Sequence, residues 1–359
     1  MKIAVVSDYL DPLNWGGASR VAAMQARELT REGHDVLLLG ASSSLARVGS
    51  CRHVAFPHRP GLRGAWSLRR HVRAHVGAFA PDLVVAHQPL VARFVIEQFP
   101  LVRLRYVFHS SWSAEVEARG GRPGMRRRVE RHVLRKAERI FCTSPFTLGE
   151  LERTEASSLH KSKVNPLAVE SPPFIPDPGR EEWVRRTHDI PPGMKAVAVF
   201  RRLTARTGVD LAIQAVKECP EVFLLVGGTG EQAGAMRELA ANEGISDRCR
   251  FLGYVPEDQM VSLLQGASAV MVPSRDLEGF GLSTLEAMAC GCPVVATDVG
   301  NNRALVEQCA GGALSDGEGP VALASALRRV LGSSWDRVAM GQRVRQSFSW
   351  NRHVQELLC

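Results

Sequence analysis

The chain has 359 residues, more than one typical hydrophobic core accommodates and enough for two α/β domains. Its 45% hydrophobic and 23% charged residues exclude wholesale disorder. A formal net charge of +8 suits an anionic partner such as a nucleotide sugar, a phospholipid surface or nucleic acid without choosing between them, although an Arg- and Ala-rich composition also follows from genome base bias.

The first strand expected is Ile3–Ser7, which Asp8 interrupts too early for the apolar region of a signal peptide. No stretch reaches the roughly 20 apolar residues of a membrane span, so the expectation is a cytoplasmic protein. A helix over about Ala18–Arg31 follows, closed by Gly33. Val36–Gly40, Leu83–His87, Tyr106–His109 and Ile140–Thr143 read as further strands. Short apolar runs alternating with helical patterns predict a parallel sheet covered by helices. Between the last two strands lies a basic run, Arg126, Arg127, Arg128, Arg131, Arg135, Lys136 and Arg139, with Val129, Val133 and Ala137 at helical spacing. Such a helix either presents a solvated face or rests peripherally on an anionic membrane; its stripe has no Trp or Phe anchor, which favours the solvated face.

Ser171–Pro192 carries six prolines and reads as a linker between a first domain, 1–170, and a second, 193–346, with a short helix around Glu181–Thr187. Strands then recur at Ala196–Phe200, Phe223–Gly227, Arg250–Leu252, Ala269–Val272 and Val294–Thr297. An amphipathic helix within 347–359 ends the chain and is expected to pack back on the first domain. The eight cysteines are scattered, and the pair Cys290 and Cys292 has no second pair to complete a zinc site, so no metal is expected.

The segment richest in chemistry, Pro273–Gly291, follows a strand, passes through the turn Glu278-Gly279-Phe280-Gly281 and enters a helix at Leu282. A glycine turn opening a helix forms an anion site, because unpaired N–H groups and the helix dipole face the ligand. Ser274 stands at its start. A carboxylate at Glu278 would repel phosphate and fits better against sugar hydroxyls, while Glu286 suits a diol such as ribose. The competing reading makes Ser283-Thr284-Leu285-Glu286 a capping box.

Glu278 and Glu286, seven residues apart, resemble the Glu-x7-Glu signature of the family 4 glycosyltransferases, the large retaining group of GT-B fold. Pro293–Gly300, Leu225-Val226-Gly227-Gly228-Thr229-Gly230 and Phe251–Val255 are similar to that family as well. The resemblance implies two Rossmann-like doubly wound domains facing a central cleft. It also implies a nucleotide diphosphate sugar as donor, linked to UDP or GDP, and no separate cofactor. Glu278 would then bind the donor sugar and Glu286 the ribose, with the N–H groups of Gly279, Phe280, Gly281 and Leu282 on the diphosphate. Transfer would retain configuration by front-side attack, the leaving diphosphate helping to deprotonate the acceptor.

Arg201-Arg202-Leu203-Thr204-Ala205-Arg206-Thr207-Gly208 matches the family's Gly-Arg-Leu-x3-Lys-Gly, whose cations clamp the diphosphate. Arg202 falls on the family arginine, whereas Thr207 replaces the lysine. Arg206 or the extra Arg201 is left to supply the second cation, and the two cations are not interchangeable. In the first domain Gly16 and Gly17 match the family's Gly-Gly loop, and His109 matches a histidine near the transferred sugar. The catalytic candidates are thus His109, Glu278 and Arg202. Gly16, Gly17, Arg201, Arg206, Gly228, Gly230, Ser274 and the Gly279–Leu282 turn with Glu286 complete the donor site.

The acceptor stays open among polysaccharide, lipid carrier and small natural product, and no nucleic acid is expected. Three rivals remain: a nucleotide-sugar epimerase of the same fold, a nicotinamide dehydrogenase, and a binder of nucleotide sugar or anionic lipid without turnover. Gly228-Thr229-Gly230 followed by Ala233 lacks the third glycine that a dinucleotide fingerprint requires.

Overall fold

A computed structural model describes residues 1–10, 17–42, 51–57, 61–118 and 120–359. The chain divides into two compact units, Met1–Leu167 with Trp350–Cys359, and Ala168–Ser349.

The first unit is a seven-stranded sheet of β1 (Lys2–Tyr9), β2 (Asp35–Ser42), β3 (Arg52–Pro57), β4 (Leu83–Ala86), β5 (Arg103–Phe108), β6 (Arg139–Cys142) and β7 (Ser162–Val164). Their order is β3-β2-β1-β4-β5-β6-β7, with the paired strands parallel. Successive side chains of a strand face opposite sides. Ala4 and Val6 enter one apolar cluster with Leu37, Leu39 and Val84, while Ile3 and Val5 enter another with Val36, Leu38 and Leu83. A sheet apolar on both faces must be covered by helices on both. The helix Gly17–Arg31 covers the Ile3 face with Ala22, Ala26 and Leu29.

The helix Trp350–Leu358 seals the same face with Val354 and Leu357. Buried Arg105 donates to the Leu357 carbonyl, so a guanidinium closes the last helical turn.

The second unit is a six-stranded sheet of β8 (Lys195–Phe200), β9 (Val222–Gly227), β10 (Cys249–Gly253), β11 (Ala269–Val272), β12 (Val294–Ala296) and β13 (Gly312–Leu314). The order is β10-β9-β8-β11-β12-β13, again parallel. Both units therefore reverse direction beside their first strand, between β1 and β4 and between β8 and β11. In open α/β sheets, ligands bind beyond the carboxyl ends of the strands at such a reversal.

The proline-rich segment belongs to the second unit instead of linking two bodies. Phe174, Val184 and Ile190 are buried, and Gln265 Nε2 donates to the Ile175 carbonyl at 2.8 Å. Its helix, Arg180–Thr187, has the arginine carbonyl lying where a Cβ on Gly266 would stand, 2.4 Å away. Sequence reading also missed β3, β7 and β13.

Candidate active site

At the second unit's reversal, the chain leaves β8 at Arg201 and β11 at Pro273. Arg201 Nη2 lies 2.5 Å from Glu278 Oε2 and 3.0 Å from Ser274 Oγ, and Ser274 Oγ donates to the same carboxylate oxygen at 2.6 Å. The Arg201 and Glu278 side chains are only 8% and 11% exposed, so this is a buried, charge-assisted triad. Burial alone would raise the Glu278 carboxyl. The Arg201 charge, the hydrogen bonds from Ser274 and Arg201, and the Arg206 charge outweigh it and hold the group below its usual range. Glu278 is therefore a fixed carboxylate.

The three arginines divide their tasks. Arg201 holds Glu278. Arg206 is half-buried and donates to the Leu277 carbonyl at 3.4 Å, beside the same loop. Arg202 is exposed, and its side chain makes no hydrogen bond among the described residues. Thr207, on the family's lysine position, is buried with its hydroxyl 2.7 Å from both the Arg202 and Thr204 carbonyls. Its hydroxyl knits the turn Ala205–Thr207 and brings no cation.

The loop carrying Glu278 is held from beneath. Thr297 Oγ1 donates to the Ser274 carbonyl at 2.6 Å and Asn301 Nδ2 to the Phe280 carbonyl at 2.9 Å. Leu277 sits at φ 54, a left-handed conformation rare for a side chain of its size. Phe280 buries its ring against Phe348, 6.1 Å between centroids, so its backbone is what it offers a ligand. The helix that follows is Leu282–Ala289, with left-handed Gly281 (φ 90) as its N-cap. A capping box on Ser283 is thereby excluded, since Ser283 lies inside the helix. Glycine supplies no capping side chain, so the first-turn N–H groups are left for an anion. Glu286 is buried one turn further on.

Gly228 and Gly230 act through the backbone. A Cβ on Gly228 would lie 1.8 Å from the Arg201 carbonyl oxygen, and one on Gly230 2.2 Å from that of Leu203. Bare glycines let the β8 loop lie against the β9 loop, with Leu203 N–H donating to the Thr229 carbonyl at 2.9 Å. They set the height of Arg201.

In the first unit, Gly16 lies outside the described residues, and Gly17 begins its helix exposed. His109 follows β5 and is half-buried. Its Nε2 is 3.0 Å from His87 Nδ1, at the end of β4. Asp8, at the end of β1, accepts from Val91 N–H at 2.7 Å, and burial pushes its carboxyl up to about 7. Gln88 Oε1 accepts from Ser7 Oγ and Asp8 N–H, both at 2.8 Å. Asp8, His87 and Gln88 were not singled out in the sequence, because the ends of separate strands converge only once their order is known.

A groove of about 670 Å³ beside β3 is lined by Pro57, Arg63, Trp66, Arg70, His71 and His75 among others, with no carboxylate in the lining. Trp66 is 72% exposed, and His71 stacks on Phe56 at 4.1 Å. Burial and the positive neighbours His75 and Arg70 lower the His71 pKa.

The basic run forms the helix Gly124–Lys136 and the start of β6. Arg126 lies over the Trp112 ring, Arg127 pairs with Glu117, Arg131 donates to the Thr154 carbonyl and Arg135 pairs with Glu155. Buried Glu130 accepts from the Trp112 and Ser113 N–H groups, at 2.6 and 3.1 Å, and so anchors the chain after His109. Among the described residues no cluster fit for a metal ion occurs, and no helix is long and apolar enough to cross a membrane.

Residues 181–347 match the family described as Glycosyl transferases group 1, and residues 15–170 match Glycosyltransferase Family 4. The chain is 33% identical to a D-inositol 3-phosphate glycosyltransferase of Salinispora tropica over 72% of its own length and 58% of that relative's. In fold it is similar to the sucrose-phosphate synthase of Thermosynechococcus elongatus, with TM-score 0.87 and 21% identity over 99% and 97% of the two chains. It is likewise similar to Anabaena HepE in complex with UDP-glucose, with TM-score 0.81 and 19% identity over 100% and 99%. Two matched halves, two parallel Rossmann-like sheets and a Glu-x7-Glu loop held at the β8–β11 reversal together identify the chain as a member of the family 4 glycosyltransferases, of GT-B fold.

Proposed function

We propose that the chain is a retaining glycosyltransferase that moves a sugar from a UDP- or GDP-linked donor to a hydroxyl of a polyol phosphate. The observation that carries the donor half is the buried Arg201–Ser274–Glu278 triad at the β8–β11 reversal. Glu278, kept ionised, accepts from hydroxyls of the donor sugar through its remaining lone pairs, and Glu286 accepts from the ribose diol. Arg202 and Arg206 meet the diphosphate together with the first N–H groups of the helix Leu282–Ala289. These cations and dipoles stabilise the charge that grows on the leaving diphosphate, the work a metal does elsewhere. His109 serves the transferred sugar.

Two observations support an anionic acceptor: the groove beside β3, whose lining carries Arg63 and Arg70 and no carboxylate, and the inositol phosphate in the name of the Salinispora relative. A membrane contact through Arg126–Arg139 is less supported, because several of those side chains are taken by partners within the unit.

The test is a panel of UDP- and GDP-sugars incubated with and without myo-inositol phosphate and followed by mass spectrometry. Transfer requires a product heavier than the acceptor by one glycosyl residue. An isomerised donor without acceptor would favour the epimerase, and binding with no product the inert binder.

A further inference from the structure

Buried behind His109 is a chain of hydrogen bonds that the proposed chemistry does not use. His87 Nε2 lies 2.9 Å from Gln25 Oε1, and Gln25 Nε2 lies 2.7 Å from His353 Nε2. His353 Nδ1 lies 2.8 Å from the Pro166 carbonyl oxygen. With the 3.0 Å contact between His87 Nδ1 and His109 Nε2, five groups form one line.

A carbonyl oxygen can only accept, and this fixes the direction of every bond. His353 must carry its proton on Nδ1 to donate to Pro166. A neutral His353 then has a bare Nε2, which accepts from the Gln25 amide nitrogen. That orientation turns Gln25 Oε1 toward His87, which must donate from Nε2. His87 Nδ1 is left bare and accepts from His109 Nε2–H. His109, in turn, is left with Nδ1 as its acceptor atom. Turning the Gln25 amide over would demand a proton on both nitrogens of His353, an imidazolium in a buried site. Burial opposes that charge, lowering His353 to about 4 and His109 to about 3.

We propose that Gln25, His87 and His353 are positioning residues whose one-way hydrogen-bond chain, anchored on the Pro166 carbonyl, holds His109 as the Nε2–H tautomer with Nδ1 presented as a hydrogen-bond acceptor for a substrate hydroxyl. The tautomer assignment stands on the hydrogen-bond geometry and on the burial of His353, which disfavours its imidazolium; the substrate hydroxyl rests on the function proposed above. In this role His109 orients a substrate hydroxyl by accepting its hydrogen and donates none to it. The anchor comes from the far end of the sequence, since His353 rides on the helix Trp350–Leu358. Asn165 Nδ2 donates to the His353 carbonyl at 3.1 Å and ties that residue to the same loop as Pro166. A polar side chain in an apolar helical stripe is the mark of the arrangement. Gln25 interrupts Ala22, Ala26 and Leu29, and His353 interrupts Trp350, Val354 and Leu357.

The experiment is long-range ¹H–¹⁵N correlation of the histidine rings in the full chain at pH 7. The relay predicts bare Nδ1 and protonated Nε2 on His87 and His109, and the opposite tautomer on His353. A His109 protonated on Nδ1, or an imidazolium at His353, overturns it. For function, His353→Phe removes both ends of the anchor while filling its volume. It is expected to release the His109 tautomer into a mixture and lower kcat roughly tenfold with donor KM within about twofold. His353→Gln, which can donate to Pro166 and accept from Gln25, should recover most of the loss. Unchanged kcat in a folded His353→Phe whose tautomers have changed would overturn the positioning role. Should the wild-type chain transfer no sugar, the function proposed above fails, while the ring spectra still decide the relay.

Discussion

Arg201 and Arg202 are neighbours in sequence with opposite surroundings, one locked on a buried carboxylate and the other open to solvent. Removing one partner of a buried pair strands the other charge, so Arg201→Ala should destabilise the second unit by about 3 kcal/mol. Arg202→Ala should change stability by less than about 0.5 kcal/mol. Scanning calorimetry separates the two, and equal losses would mean that Arg201 is not the partner of Glu278. The titrating residues of the first unit also pull in opposite directions. His87, His109 and His353 have folded pKa values below their unfolded ones, so the unfolded chain binds more protons below pH 6.5 and stability is lost as pH falls from there toward about 4. Asp8 is raised to about 7, so its burial penalty is greatest above pH 7 and fades on acidification. Asp8→Asn should therefore raise the Tm at pH 8 and lose that advantage near pH 4. A variant equally stabilised at both values would contradict the shift.

At the scale of the element, the β8 and β9 loops are stacked through glycines, and the position of Arg201 depends on that spacing. Gly228→Ala places a methyl on the Arg201 carbonyl at a backbone angle, φ 134, that side chains rarely adopt. The expected result is a loss of about 2 kcal/mol, read in denaturant unfolding, with a parallel loss of donor affinity from the displaced Arg201. Loss of stability without loss of affinity would detach Arg201 from the donor site. Sequence pattern located ten strands, six of them (β1, β2, β4, β8, β9 and β11) on apolar runs of four or more residues. β7 and β13 have three residues each, and β3 (Arg-His-Val-Ala-Phe-Pro) mixes charge with apolar side chains at the sheet edge, so their formation is imposed by neighbours. The prolines of Ser171–Pro192 broke the helical pattern as read, yet proline does not prevent packing. Phe174 and Val184 bury the segment in the second unit.

Across the whole molecule, the Glu278–Glu286 loop was legible because its chemistry is contiguous in sequence. The partner of Glu278 was not: Arg201 lies 77 positions away, and the family pattern drew attention to Arg202 beside it. His87, Gln25 and His353 were further out of reach, since Gln25 and His353 are 328 positions apart and meet because the tail helix closes the first sheet. Thr207 shows how family inference and structure complement each other: the motif reveals the missing lysine, and the buried hydroxyl explains what occupies its place. In the proposed function the second unit holds a nucleoside diphosphate sugar between its arginines and the Glu278–Glu286 loop. Titration calorimetry of UDP and GDP into the wild-type chain and into Arg202→Ala and Glu286→Ala tests it most directly. One of the two diphosphates is expected to bind, and each variant is expected to weaken it about tenfold or more. Binding of equal strength in all three proteins, or binding of neither diphosphate, would contradict it.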